Sequence, residues 1–195
     1  MKKLAILFPG IGYTCEKPLL YYSGKCAREA GYELMPVPYG NFPSGVLGDR
    51  EKMRYCFDHA LRQTRDFLKD VEWASYDRIV FIAKSVGTVV ACAFAREMGL
   101  QVRSILLTPL AETFSFLPDA REGFLGLDAV PEKIIAFHGT KDPWADTEVV
   151  KQFCQEKGIP LFLTKDGNHS LETGDVLGDL KTLEDTMKQV RDFIG

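Results

Sequence analysis

Residues 78–90, RIVFIAKSVGTVV, join a strand pattern to a helix pattern around a single serine. The run Ile79–Ile82 is β-branched and aromatic, which is typical of a buried strand. Small and apolar residues follow the serine, as in a buried helix. Ser85 therefore stands at a sharp strand-to-helix turn, where the small residues Ala83 and Gly87 permit the close backbone approach that such a turn needs.

This turn predicts the surroundings of the Ser85 hydroxyl. A strand that ends in such a turn presents the hydroxyl above the edge of the sheet, and the Val86 N–H at the start of the helix points to the same place. The pair would supply a nucleophile and one donor to an oxyanion. The pattern alone is weak, because a serine at this spacing also occurs in ordinary βα loops.

Composition indicates a soluble globular protein. Of 195 residues, 46% are hydrophobic and 26% charged, which suits a single domain, 1–195, with a sizeable core. A net charge of -3 gives no indication of a nucleic-acid partner or of an anionic membrane. Five cysteines without C-x-x-C spacing or a His/Cys cluster predict free thiols in a reducing compartment, hence a cytoplasmic protein without a metal site.

The first eight residues, MKKLAILF, superficially resemble a signal peptide. Their apolar run stops at Pro9-Gly10, short of the roughly 7–15 residues of such a segment, and predicts a first strand instead. No stretch approaches the ~20 apolar residues of a membrane span, so we expect no membrane partner.

Strand and helix patterns alternate along the whole chain. The expected strands are 4–8, 32–37, 79–82, 102–107, 133–137 and 160–164, and the expected helices are 17–30, 51–71, 86–98, 147–157 and 176–194. No two-residue hairpin turn interrupts this alternation, which predicts βαβ crossovers. We expect an α/β protein, a three-layer sandwich whose mainly parallel sheet is covered by helices on both faces.

Two later loops carry the residue types that a serine nucleophile needs. His138–Trp144 follows the fifth strand and Thr164–Leu171 follows the sixth. Because parallel strands bring their C-terminal ends to one edge of a sheet, Ser85, Asp142 and His169 are expected to meet there. An imidazole can take the serine proton, and a buried carboxylate behind it fixes its tautomer and stabilises its charge.

Other residues near these loops are interpreted as structural. Asp146 is an alternative acid, but an aspartate just before a helical run is better explained as an N-cap. His138 is interpreted as a turn residue hydrogen-bonded to the backbone. His59 is interpreted as a residue on a helix surface, which leaves His169 as the expected base.

The order of Ser85, Asp142 and His169 along the chain resembles that of the α/β-hydrolase family, as does the elbow Ala-Lys-Ser-Val-Gly at 83–87. The loops that carry the aspartate and the histidine are also similar to that family's. The resemblance covers nearly the whole chain. It implies the α/β-hydrolase fold, with six strands in the order 2-1-3-4-5-6, a central serine strand and no cap domain. The elbow departs from the family pattern in having Ala83 at its first glycine.

By the same resemblance, the loop after the first strand supplies the second N–H of an oxyanion hole, beside that of Val86. Ile11 is the favoured donor and Gly12 the next, since Pro9-Gly10 stands where the family usually has His-Gly.

Tyr13, Lys84 and Trp144 are expected to border the mouth of this site and to bind substrate. Lys84 is expected to be an exposed cation, either selecting substrate or merely solvated. The connection 108–131 is too short for a cap, and we expect it either to wall an acyl pocket or to pack plainly on the sheet. Its apolar side chains are Phe114, Phe116, Leu117, Phe124, Leu125 and Leu127.

These features predict a lidless serine hydrolase without cofactors, cleaving a small acyl ester or thioester through an acyl-enzyme intermediate. An amide is less favoured, because nothing indicates a peptide-binding edge. The alternative is a catalytically silent protein of the same fold that binds a small ligand. A flavodoxin-like phosphate binder could use Gly10-Ile-Gly12, but the third Rossmann glycine and a Gly-Lys-Ser/Thr are missing. The acyl chain, the leaving group and the oligomeric state are not indicated.

Overall fold

The computed structural model describes residues 1–117 and 133–195. Its six strands form one parallel sheet in the order β2-β1-β3-β4-β5-β6, as predicted. The strands are β1 (Lys3–Phe8), β2 (Glu33–Pro36), β3 (Arg78–Lys84), β4 (Arg103–Leu107), β5 (Ile134–Gly139) and β6 (Leu161–Thr164). The helices are α1 (Pro18–Glu29), α2 (Arg50–Leu68), α3 (Val86–Glu97), α4 (Thr147–Glu156) and α5 (Val176–Ile194).

Two hydrophobic cores lie on opposite faces of this sheet. Alternate residues of β1 enter different cores: Leu4, Ile6 and Phe8 face one, whereas Ala5 and Leu7 face the other. This follows from the two-residue period of a strand. The first core is closed by α2, α3 and α4, and the second by α1 and α5, so the predicted three-layer arrangement is confirmed.

Helix boundaries follow local chemistry. The carboxylates of Asp49, Asp146 and Asp175 cap α2, α4 and α5 by accepting hydrogen bonds from free backbone N–H groups of the first turn. The interpretation of Asp146 as an N-cap is thereby confirmed, since its Oδ1 lies 2.8 Å from the Glu148 nitrogen and 3.1 Å from that of Val149. Pro18 begins α1, where its missing N–H costs no hydrogen bond.

The position of β3 at the centre of the sheet decides where the serine lies. β3 pairs with β1 on one side and β4 on the other, so Ser85 follows a strand that is hydrogen-bonded along both edges. Helix α3, which starts right after it, is buried from Val86 to Ala95. The edge of the sheet nearest β1 is the short strand β2, which includes Pro36 as the sequence predicts.

Part of the 108–131 connection is described. Ala111–Phe116 forms a 3-10 helix in which Phe114 is buried and stacks on Phe153, with ring centroids 5.0 Å apart. For Phe114 the alternative of plain packing is the one observed. Phe124, Leu125 and Leu127 lie outside the described residues.

The expectations about membrane spans and cysteines can be compared with the structure. No helix among residues 1–117 and 133–195 is both long and apolar enough to cross a membrane. The five cysteines are free thiols, with Cys56, Cys92 and Cys154 buried and Cys15 and Cys26 partly exposed.

Candidate active site

Ser85 sits in a strained turn. Its φ of 57° and ψ of -128° lie in a region that residues other than glycine rarely adopt. The turn is held because the Ser85 N–H donates to the Leu107 carbonyl at 3.0 Å. A Cβ at Gly87 would overlap the Phe8 and Pro9 carbonyl oxygens, so the elbow can approach the β1 loop only with glycine there.

Three side chains join in one line of hydrogen bonds. The Ser85 Oγ lies 2.8 Å from His169 Nε2, and His169 Nδ1 lies 2.7 Å from Asp142 Oδ2. With Nδ1–H donating to the carboxylate, Nε2 is left as the acceptor of the Ser85 hydroxyl proton. An imidazole held this way can remove a proton from a hydroxyl while a carboxylate stabilises the resulting charge.

The aspartate and histidine loops are docked on each other. A Cβ at Gly139 would overlap the Gly167 and Asn168 carbonyl oxygens, so glycine is needed at this contact as well. The Lys141 N–H donates to the Gly167 carbonyl at 2.9 Å. The second oxygen of Asp142 accepts from the Trp144 N–H at 2.8 Å, which fixes the carboxylate toward the imidazole.

The His169 imidazole is mostly buried, with its side chain 17% exposed. Burial lowers the pKa of His169 below its ordinary value, although the hydrogen bond to Asp142 acts in the opposite direction. The nearby Lys84 ammonium lowers this pKa further. The imidazole is therefore neutral at neutral pH, which is the form that can act as a base.

His138 differs from its sequence interpretation. It is a fully buried residue of β5 rather than a turn residue, and its Nε2 lies 3.2 Å from the Thr147 hydroxyl instead of a backbone group. Its Nδ1 has no hydrogen-bond partner among the described residues and lies 3.7 Å from Asp142 Oδ2. Burial lowers the pKa of His138, so the ring that lies next to the Asp142 carboxylate is neutral.

The expectation that Lys84 is exposed at the mouth is wrong. Its side chain is fully buried, its Nζ donates to the Thr108 hydroxyl at 2.6 Å, and it lies 4.8 Å from the centre of the Tyr13 ring. Strand alternation explains this, because Lys84 is the last residue of β3 and points to the core between the sheet and α1. Burial lowers the pKa of Lys84 to about 7.

Thr108 is the partner that sequence reasoning missed. It follows β4 with a φ of 48°, and its N–H donates to the Phe137 carbonyl at 2.7 Å. A polar residue directly after a buried strand was the available signal, since such a residue lies on the same edge of the sheet as Ser85.

Tyr13 and Trp144 lie in different environments, although both were expected at the mouth of the site. Tyr13 is turned inward: its ring is buried, its hydroxyl accepts from the Leu19 N–H at 3.0 Å, and burial raises its pKa to about 12. The expectation that Tyr13 borders the mouth is therefore corrected. Trp144 is partly exposed and lies beside His169, with ring centroids 5.6 Å apart, so it is placed where a substrate could touch it.

The loop after β1 packs directly against the serine. Gly10 and Tyr13 exchange two backbone hydrogen bonds, of 3.0 and 3.3 Å, which turn the loop over Ser85. A Cβ on Gly10 would lie 2.9 Å from the Ser85 Cβ. Within the described residues, the N–H groups of Ile11 and Gly12 make no hydrogen bond to the backbone, so both are available to a ligand.

The described part of the chain contains no group of three or more His, Cys, Asp or Glu residues arranged to hold a metal ion.

No protein-family model matches this sequence, and no curated protein matches it either. Solved structures do match. A protein of Xanthomonas campestris assigned to the alpha/beta hydrolase superfamily has a TM-score of 0.67 at 16% identity, and the match covers 100% of this chain and 98% of that one.

Two further matches carry more specific descriptions. A serine hydrolase without a lid, also from Xanthomonas campestris, has a TM-score of 0.63 at 17% identity, covering 98% of this chain and 80% of that one. An esterase of Pyrococcus furiosus has a TM-score of 0.58 at 15% identity, covering 100% and 84%. At such low identity these likenesses establish the fold: the chain has the α/β-hydrolase fold, as the sequence resemblance implied.

Proposed function

We propose that this chain is a serine hydrolase that cleaves a small acyl ester or thioester through an acyl-enzyme intermediate. The observation that carries the proposal is the line of hydrogen bonds from Ser85 through His169 to Asp142. The α/β-hydrolase fold supports a hydrolase, and one structural neighbour is described as an esterase.

In the first step the Ser85 Oγ attacks the acyl carbonyl carbon while its proton passes to His169 Nε2. The imidazolium then gives that proton to the leaving oxygen or sulfur, and the bond to the leaving group breaks. A water molecule repeats the attack on the acyl-enzyme with His169 again as the base, which releases the acid and restores the hydroxyl. Asp142 keeps Nδ1 protonated and stabilises the imidazolium in both halves.

Backbone donors would hold the negative oxygen that forms in each step. Val86 is the first residue of α3, so its N–H has no partner within the helix and lies at the positive end of the helix dipole. Ile11 is our favoured second donor and Gly12 the next, since the loop that carries them packs on Ser85. Trp144 would border the acyl or leaving group beside His169.

The test is hydrolysis of p-nitrophenyl acetate and butyrate, combined with labelling by a fluorophosphonate probe. We expect Ser85→Ala to lower turnover by a factor on the order of 10⁶ and to abolish labelling, because the nucleophile is removed. Ser75→Ala, at an exposed serine in a 3-10 helix, is the matched control and should change neither readout.

The alternative of a silent ligand-binding protein makes the opposite prediction. It expects a folded wild-type protein that neither hydrolyses these esters nor reacts with the probe. Labelling that persists in Ser85→Ala would also contradict the proposal, because another residue would then be the nucleophile.

A further inference from the structure

A groove of about 660 Å³ lies between α1 and the edge strand β2. This volume is within the range of small-molecule sites. Its walls are mostly apolar and include Leu7, Leu34, Val37, Tyr39 and Phe42. None of the residues discussed above as nucleophile, base or acid lines it, so the chemistry proposed for Ser85 does not by itself account for the groove.

One end of the groove lies at the loop proposed to carry the oxyanion donors. Pro9, Gly10 and Gly12 line this end, and Gly10 is the residue that packs against Ser85. A Cβ at Gly12 would meet nothing within 4 Å, so the space over this loop is open. An acyl group whose carbonyl sits at Ser85 can therefore pass over two glycines into the groove.

The far end of the groove carries positive charge. Lys25 and Arg28 line it near the C-terminus of α1, and neither forms an ion pair within the described parts of the chain. Lys25 lies over the Tyr21 ring at 5.3 Å, which keeps its ammonium beside the groove. The only carboxylate among the lining residues described is Glu16, which precedes α1 and so lies at the end nearest the oxyanion loop.

Among the residues that line the groove, this separation of charge gives a direction; the neighbouring Lys17 lies over the Tyr13 ring and is not one of them. From Pro18 the helix rises about 11 Å to Lys25 and about 15 Å to Arg28, so the two cations lie far from the reacting centre while Glu16 lies near it. A chain with an anion at its distal end would meet opposite charge there, and Glu16 would disfavour binding in the reverse direction. A peptide strand is a poorer occupant, because Pro36 and Pro38 remove backbone donors from the β2 edge.

We propose that this groove binds the acyl part of the substrate, an extended apolar chain that ends in a carboxylate. This inference rests on the proposed function, since it takes Ser85 as the nucleophile that attacks the near end of the same chain. Lys25 and Arg28 would be specificity-determining residues that contact the distal carboxylate.

The experiment compares mono-p-nitrophenyl esters of adipate, suberate and sebacate with uncharged p-nitrophenyl esters of the same chain lengths. We expect kcat/KM to favour the longer carboxylate esters by about tenfold, as hydrogen bonds to charged groups contribute. The double change Lys25→Gln with Arg28→Gln should abolish that preference and leave p-nitrophenyl acetate hydrolysis unchanged. High salt should also weaken the preference, because the two cations are exposed.

The matched control is Arg62→Gln with Lys69→Gln, which removes the same charge from exposed positions on and beside α2, on the opposite face of the sheet. It should keep the preference for carboxylate esters. If wild type and the Lys25/Arg28 variant treat charged and uncharged esters alike while acetate is still hydrolysed, the groove proposal is overturned and the proposed function stands.

A binding measurement tests the groove independently of whether the protein is a hydrolase. Titration of decanoate, whose single carboxylate would lie at Lys25 and Arg28 while its methyl end lies near Glu16, into the wild-type protein needs no catalysis. Binding that disappears in the Lys25/Arg28 variant, in a protein that hydrolyses no ester, would support the groove and reject the hydrolase. No binding by the wild type would count against the groove.

Discussion

The elbow and the pair of later loops solve the same steric problem, each with a glycine. At the elbow, Gly87 lets α3 approach the carbonyl oxygens of Phe8 and Pro9. At the other end of the site, Gly139 lets the aspartate loop approach the carbonyl oxygens of Gly167 and Asn168. Both contacts leave no room for a Cβ, and each brings two segments together that are distant in sequence.

The two regions differ in which residues have a strained backbone. Ser85 is placed by one continuous strand, turn and helix, and its own backbone bears the strain at a φ of 57°. Neither Asp142 nor His169 has a positive φ, although Asp166 and Leu171 of the histidine loop do, at 58° and 63°. The two loops are joined by hydrogen bonds such as Lys141 N–H to the Gly167 carbonyl. At the elbow the strained residue is thus Ser85 itself, whereas in the histidine loop the residues with positive φ are neighbours of His169.

Removing the carboxylate should have the largest effect among changes to the loop region. Asp142→Asn keeps an acceptor for the Trp144 N–H but no longer favours the Nδ1–H tautomer of His169. We expect kcat to fall about 10⁴-fold, with little change in the melting temperature. Asp146→Asn is the control, since asparagine caps a helix as well as aspartate does. Equal losses in the two variants would contradict the assignment of Asp142.

Adding a methyl group at each glycine contact tests whether the two regions are independent. Gly87→Ala and Gly139→Ala should each lower the free energy of unfolding by about 1–3 kcal/mol, because each methyl group collides with backbone oxygens. Gly40→Ala, where a Cβ meets nothing within 4 Å, is the control and should be nearly neutral.

The double variant sharpens this comparison. Gly87 follows β3 and Gly139 ends β5, two strands away, which is a separation of about 10 Å. Changes so far apart should be additive within about 0.5 kcal/mol by denaturant unfolding. A coupling well above that would show that the elbow and the loops form one unit.

A smaller effect should come from Lys84, the buried cation that lies between the two regions. Its ammonium lowers the pKa of His169, and Asp142 and Lys17 are the charged groups that act on it in turn. In Lys84→Met the pKa of His169 should rise, so the acid limb of the pH profile of kcat/KM should move to higher pH. Lys165→Met, at an exposed lysine of the histidine loop, should shift it less.

Stability against pH provides an independent measurement on the same lysine. The folded protein holds the Lys84 pKa near 7, below the ordinary 10.5, so between these values the unfolded chain binds more protons. The free energy of unfolding should therefore rise with pH from about 7 to about 10, by at most about 1.4 kcal/mol per pH unit. A wild-type slope equal to that of Lys84→Met in this window would mean that the lysine is not buried.

Most element boundaries could be predicted because strand and helix periods are local properties of the sequence. The order of the strands is not local, and it was implied by the resemblance to the α/β-hydrolase family. The loops that carry Asp142 and His169 were also predictable, since both directly follow expected strands. The structure brings these two residues together with Ser85, but the comparisons establish the fold and leave their catalytic roles as a proposal.

Lys84 could not be placed correctly, for a physical reason. Near the end of a strand, one residue of shift decides whether a side chain enters the core or the solvent. A lysine is normally exposed, so its burial beside Thr108 runs against the usual preference. The same argument applies to His138, because the strand continues two residues beyond the apolar run that indicated it.

The burial of α3 has a consequence for partial denaturation. Amide hydrogens in a helix that is buried from Val86 to Ala95 exchange only when the molecule opens globally, whereas exposed loops open at much lower cost. His169 belongs to a loop in which Asn168 and Glu172 are exposed and Leu171 is the residue that packs into the second core. In mild urea the protein should therefore stop turning over ester while near-ultraviolet dichroism and exchange protection of the central helix persist.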